Sequence, residues 1–364
     1  TQQKYKSARK KEFLEFSKEI LNLLSPDSTE QDKRQKIKNL ETEFNLKIIK
    51  KAINARIPYT KIAELLRAEH DALFGIVTKV VKKDDLELRQ RDDSGLLPSE
   101  KRDVNMIEAN RSLQRILSRL RALDDALEHN YQGHDERKEH LTTLKNELRE
   151  KFGEYYSDYR NKLLQGDSLS SKSLNEIKSL ETGFNVFLND KIVEENLPYS
   201  TLVDLLRVEN DAQFGIVTKV VEKDGQEIWQ RDATQALGLE QRIAHDDPII
   251  EANNALLRML SRLKPIDYAI EEKYKGNILR PLGPNNESIL PQQRRDNFNH
   301  HYKSMRKIVQ DQFLSASEKK EQIELLEKQF NTYLLRRLHQ ANLTKGVTTE
   351  AVSYTHLTLP TILL

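Results

Sequence analysis

The eight residues FGIVTKVV occur at 74–81 and again at 214–221. Unrelated stretches do not share eight residues in order, so a longer correspondence is expected around them. At an offset of 140, residues 39–93 and 179–233 are identical at about half their positions. NLETEFN meets SLETGFN, and IPYTKIAELLRAEHDALF meets LPYSTLVDLLRVENDAQF. After a three-residue insertion, MIEANRSLQRILSRLRALD (106–124) meets IIEANNALLRMLSRLKPID (249–267). A third, partial copy begins near Asp296, with Ile323, Leu326 and Phe330 in the register of Ile37, Leu40 and Phe44. The sequence is therefore read as tandem modules of roughly 140 residues, domain-sized rather than the short units that stack as a solenoid.

Each module reads as mainly α. A first helix covers about Gln3–Leu24, or about Leu144–Leu164 in the second copy. A second helix follows a turn, with Ser28 before Gln31 and Ser315 before Glu318 at capping-box spacing. Its stripe of Ile37, Leu40, Phe44, Ile48 and Ala52 recurs as Ile177, Leu180, Phe184, Leu188 and Ile192, with the period of an amphipathic helix. Pro58 and Pro198 suit the start of a third helix. The last helix carries Leu113, Ile116, Leu117, Leu120, Leu123 and Leu127. Between them lies FGIVTKVV, which fits either a continued helix or a small β-hairpin at 74–91 and 214–231, since its β-branched residues run toward turn-forming ones. The domains read as 1–134, 135–275, a Pro/Gly/Asn-rich linker at 276–295, a truncated third module at 296–351, and a tail at 352–364. In that tail, VSYTHLTLPT (352–361) resembles a translated sequencing adaptor, so Val352–Leu364 is set aside from fold reasoning. With Thr1 at the start, the sequence is expected to be a fragment of a longer array, and neither a signal peptide nor a compartment is legible.

Composition narrows the chemistry. The 364 residues hold 59 Lys and Arg against 57 Asp and Glu, a net charge of +2 that exerts no general pull on nucleic acid or anionic lipid. No cysteine is present, which removes disulfides, thiol catalysis and cysteine-ligated metals. No apolar run reaches the length of a membrane span, and the chain reads as a soluble helical protein. Neither His134 with His140 nor His300 with His301 has the spacing of a metal site, so no metal or other cofactor is expected. Phosphate-binding glycine loops and GxSxG are also missing.

Two copies allow an internal comparison of polar positions. Arg67, Glu69 and Asp71 return as Arg207, Glu209 and Asp211. Such a group can serve acid–base work, bind a charged ligand, or act as helix ion pairs, the last being favoured. His70 becomes Asn210, which counts against a shared catalytic histidine. Asn110 and Asn253 precede the leucine stripe by three and seven residues, and Glu108 and Glu251 lie beside them. Within each module these five residues are expected to converge between the third and last helices, bonded to one another or to backbone, because polar groups beside apolar stripes need partners. Arg111, Arg115 and Arg119, partly kept as Arg258 and Arg262, form a stripe that either tracks phosphates or lies on a solvated helix face, the latter favoured. No catalytic constellation emerges. The expected function is a non-enzymatic tandem-repeat scaffold that binds protein partners. The alternatives are a targeting region of an enzyme or toxin whose catalytic domain lies elsewhere, and phosphate or nucleic-acid binding through the arginines.

Overall fold

The computed structural model describes residues 2–23, 29–83, 86–92, 94–96, 98, 104–134, 137–164, 171–213, 217–223, 226–232, 248–274 and 291–340. The adaptor-like tail and most of the expected linker lie outside them. The fold is mainly α, with ten helices and two antiparallel strand pairs among the described residues. The helices are α1 (Gln2–Leu23), α2 (Glu30–Asn54), α3 (Tyr59–Leu73), α4 (Val104–Tyr131), α5 (Lys138–Leu164), α6 (Ser171–Glu194), α7 (Tyr199–Gln213), α8 (Pro248–Tyr274), α9 (Pro291–Gln310) and α10 (Ala316–Gln340). Strand β1 (Val77–Lys83) pairs with β2 (Leu86–Asp92), Val77 opposite Asp92 and Lys83 opposite Leu86. Strand β3 (Val217–Lys223) pairs with β4 (Gln226–Asp232).

The first FGIVTKVV is divided between two structures rather than belonging to one. Phe74 and Gly75 close α3, their N–H groups donating to the carbonyls of Asp71 and Ala72. Gly75 has φ of 77°, a left-handed conformation that costs glycine nothing, and the strand starts only at Val77.

Local signals explain most helix ends. At α2 the cap is Thr29 rather than the expected Ser28: its hydroxyl accepts from the Asp32 N–H at 3.2 Å and donates to the Asp32 carboxylate at 2.6 Å. Asp32 in the first turn also suits the helix dipole, an advantage Gln31 lacks. At α10 the expected box forms, with the Ser315 N–H donating to Glu318 Oε2 at 2.8 Å. Both α2 and α6 end in the same way. The N–H of Ile57 donates to the Ala52 carbonyl and that of Leu197 to the Ile192 carbonyl, while Arg56 and Asn196 adopt φ near 50°.

The chain forms two compact units. Unit 1 comprises Thr1–Asp124, Tyr131–Phe184 and Thr218–Gln230, and unit 2 comprises Asp125–Asn130, Asn185–Val217 and Arg231–Leu364. In unit 1 the core joins Ile48, Ile49, Ala52 and Ile53 of α2, Ile62 and Leu66 of α3, and Leu113, Ile116, Leu117, Leu120 and Leu123 of α4. It also takes Leu148, Phe152, Tyr155, Tyr156 and Tyr159 of α5, all buried. In unit 2, α8 packs against α7, α9 and α10, burying Leu256, Met259, Leu260 and Leu263 with Phe298, Met305, Ile323 and Phe330. Each such side chain contributes about 1.5–3 kcal/mol by leaving water.

Helix α5 is thus core to unit 1, although it belongs to the second sequence copy. A fragment of residues 1–134, which lacks it, is expected to unfold without a cooperative transition in urea, followed by circular dichroism. A fragment of residues 1–194 is expected to keep one.

Candidate functional site

Part of the retained polar set lies in separate, largely buried clusters. The first is built on α4. Glu108, Arg115 and Arg119 are spaced by seven and four residues, which sets them along one helix face. From α6, Glu181 meets both arginines. Arg115 donates from Nε to Glu181 Oε1 at 2.8 Å and from Nη2 to Oε2 at 2.6 Å, a two-pronged contact. Its Nη1 donates to Glu108 at 2.9 Å, and Arg119 Nη1 donates to Glu181 Oε1 at 3.0 Å. The Arg119 side chain is only 2 % exposed.

Unit 2 holds the same arrangement. Arg258 of α8 donates to Glu327 of α10 from Nε at 3.0 Å and from Nη2 at 2.7 Å, and to Glu251 at 2.8 Å. Arg262 donates to Glu327 at 2.8 Å and to Asn331 Oδ1 at 2.8 Å.

Burial alone would raise the Glu181 carboxyl. The Arg115 and Arg119 guanidinium groups, with hydrogen bonds from Arg115 and Ser112, together outweigh burial and carry the pKa down to about 2. Glu327 is lowered in the same way: desolvation opposes, and Arg258 and Arg262 prevail.

The second cluster centres on Glu69. It accepts from Asn45 Nδ2 at 3.3 Å and from Arg160 Nη2 of α5. Arg160 Nε donates to the Tyr156 hydroxyl at 3.0 Å, and its guanidinium lies over the Tyr156 ring. In unit 2, Glu209 accepts from Asn185 at 3.3 Å and from Arg306 Nη2 at 2.8 Å, and the same Nη2 reaches Asn253 Oδ1 at 2.6 Å. Arg306 lies over Tyr302.

A third pair of arginines satisfies the helix ends described above. Arg149 donates to the Ile57 carbonyl at 3.0 Å and stacks on Tyr59, as Arg295 donates to the Leu197 carbonyl at 2.6 Å and stacks on Tyr199. These carbonyls follow the last turn of α2 and α6, where the helix supplies no donor.

The expected convergence of five residues is therefore met only in part. Glu209 and Asn253 come together through Arg306. Glu108 and Glu251 join Arg115 and Arg258 in the other cluster. Asn110 is buried and accepts from Gln114 Nε2 at 3.4 Å. Asp71 and Asp211 are half-buried on α3 and α7, and Arg67 and Arg207 face solvent. The arginine stripe turns inward instead of lying on a solvated face, because Glu181 and Glu327 draw it there. Arg111, 3.9 Å from Glu108, is the most exposed of the five.

Sequence comparison of copies one and two overlooked Arg160 with Arg306, Glu181 with Glu327, Tyr156 with Tyr302, and Arg149 with Arg295. Two signals carried them. Leu-Glu-x2-Phe-Asn occurs three times, at 40–45, 180–185 and 326–331. Arg-x2-Phe-x3-Tyr-x3-Arg occurs at 149–160 and 295–306, visible only when copy two is laid on copy three.

Among the described residues, no group of three or more His, Cys, Asp or Glu is placed to hold a metal ion. No helix among them is long and apolar enough to cross a membrane. No protein family, curated protein or solved structure matches this chain.

The depressed Glu181 sets a pH dependence. Its folded-state pKa lies below the ordinary 4.5, so the stability it contributes is full above about 4.5 and is lost as pH falls toward about 2. At pH 7, Glu181→Gln is expected to cost about 3–5 kcal/mol by stranding two arginines. In urea titrations the gap between the variant and the unsubstituted chain should close as pH drops through that window. A gap unchanged from pH 7 to pH 2 would contradict the assignment.

Proposed function

We propose that the chain is a non-enzymatic tandem-repeat scaffold that binds protein partners through surfaces repeated from copy to copy. The observation that carries this reading is the closure of the charged clusters. Residues best suited to acid–base chemistry, Glu69, Glu108, Glu209 and Glu251, each hold an arginine. The arginines best suited to phosphate, Arg115, Arg119, Arg258 and Arg262, are bonded to carboxylates, which leaves them poor ligands for an external anion. That weighs against the nucleic-acid alternative.

Two retained arginines take no part in these clusters. Arg67 on α3 and Arg207 on α7 occupy the same position in their copies, and both are exposed. They mark a repeated surface for an acidic protein segment, where two copies together give avidity.

The test is cross-linking capture with the full chain and with Arg67→Glu, Arg207→Glu and the double variant. Partners of the unsubstituted chain are expected to weaken about tenfold with either single change and to disappear with both. Unchanged capture by the double variant would contradict the reading. So would steeply salt-dependent binding of a single-stranded RNA or of phosphoinositide vesicles, the mark of phosphate contacts.

A further inference from the structure

Three helix pairs open a repeat: α1–α2, α5–α6 and α9–α10. Their aromatic contacts set a common register. Phe13 meets Phe44 edge-on at 6.3 Å, as Phe298 meets Phe330 at 6.3 Å. Phe16 meets Phe44 at 5.0 Å, as Tyr155 meets Phe184 at 5.6 Å and His301 meets Phe330 at 5.3 Å. In this register Phe13 stands where Phe152 and Phe298 stand, Ile20 where Tyr159 and Met305 stand, and Glu41 where Glu181 and Glu327 stand.

In the second and third pairs these positions are covered. Phe152, Tyr159, Phe298 and Met305 have no exposed surface. The glutamates hold Arg115 with Arg119, and Arg258 with Arg262, from the final helix of the repeat before. In the first pair the same positions are open. Phe13 is 55 % exposed, Ile20 is only half-buried, and Glu41 faces solvent on one side. Leu14 and Leu21 on α1 add further exposed apolar surface. Surrounding protein desolvates the other side of Glu41 and raises its pKa, Glu69 adding repulsion and Arg160 opposing, whereas Glu181 is lowered.

We infer that the groove of α1 and α2 is a docking site for another repeat unit of this kind, which lays its final helix across α1 and delivers an Arg-x3-Arg pair to Glu41. The charge complementarity is the one that Glu181 and Glu327 already display. The apolar surface at Phe13 and Ile20 matches what α4 and α8 bring to the other grooves. This inference rests on the tandem-repeat reading, but it concerns a different surface from Arg67 and Arg207, so either can fail alone.

The test uses the full chain and a fluorescent peptide with the sequence of Val104–Tyr131. Saturable binding is expected, weakened at least tenfold by Glu41→Arg in the chain or by replacing both peptide arginines, Arg115→Ala and Arg119→Ala. Because an isolated helix folds poorly in water, a second arm extends the chain ahead of Gln2 with an added copy of residues 30–137. Amides of α1 should then exchange at least tenfold more slowly, and Glu41→Arg with Phe13→Glu should abolish that protection. The inference is overturned if neither arm shows an effect, or if the effect survives those substitutions. It is also overturned if the unextended chain dimerises in sedimentation through Phe13 with no dependence on Glu41, which would make a second copy of α1 the occupant.

Discussion

A single carboxylate gripped by two guanidinium groups inside a helical core is the constraint on which the rest of each unit depends. Glu181 and Glu327 are both buried, and a buried carboxylate is tolerable only when its lone pairs are filled and its charge balanced. Arg115 with Arg119, and Arg258 with Arg262, meet that need from one helix face four residues apart. A shift of either helix by one residue would rotate the arginines away and leave a charge stranded. Leucine stripes alone tolerate such slippage; this contact does not. Its main contribution is to fix which residues face each other.

That fixed register organises the neighbouring elements. With α4 locked to α6, α5 lies where Arg160 reaches Glu69 and Arg149 reaches the carbonyl of Ile57. The tyrosines on α5 fill the space between: the Tyr155 hydroxyl bonds Ser112 at 2.7 Å, and the Tyr156 hydroxyl accepts from Arg160. Burial pushes both hydroxyls above their ordinary range, so they remain protonated hydrogen-bonding groups. Unit 2 builds the same relation from α8, α9 and α10 with Arg306 and Arg295. Helix α5, which lies in the second stretch of similar sequence, thus completes the core of unit 1.

Much of the fold was legible in the sequence, and the reasons differ by element. The stripe from Leu113 to Leu127 is buried as its period implied, because apolar spacing directly reports which face leaves water. Glu318 after Ser315 marked a helix start for an equally local reason. The candidate site was harder. Glu69 and Glu108 were recognisable as polar residues needing partners, but their arginines lie 91 and 7 residues away, one of them in the next copy. Periodicity cannot report a contact of that range. The Arg111–Arg115–Arg119 stripe looked solvated because three like charges on one face normally avoid the interior. Only a carboxylate from another helix reverses that preference, and Glu181 is that carboxylate.

The central claim is that each arginine pair and its glutamate act as one coupled structural unit, and a double-mutant cycle measures this directly. Urea unfolding of Arg119→Met, Glu181→Leu and the combined variant gives the coupling in unit 1, and Arg262→Met with Glu327→Leu gives it in unit 2. The account predicts a coupling of about 1.5 kcal/mol or more in both units. Additive losses, within about 0.5 kcal/mol in either unit, would show that the clamp is not what holds these helices in register.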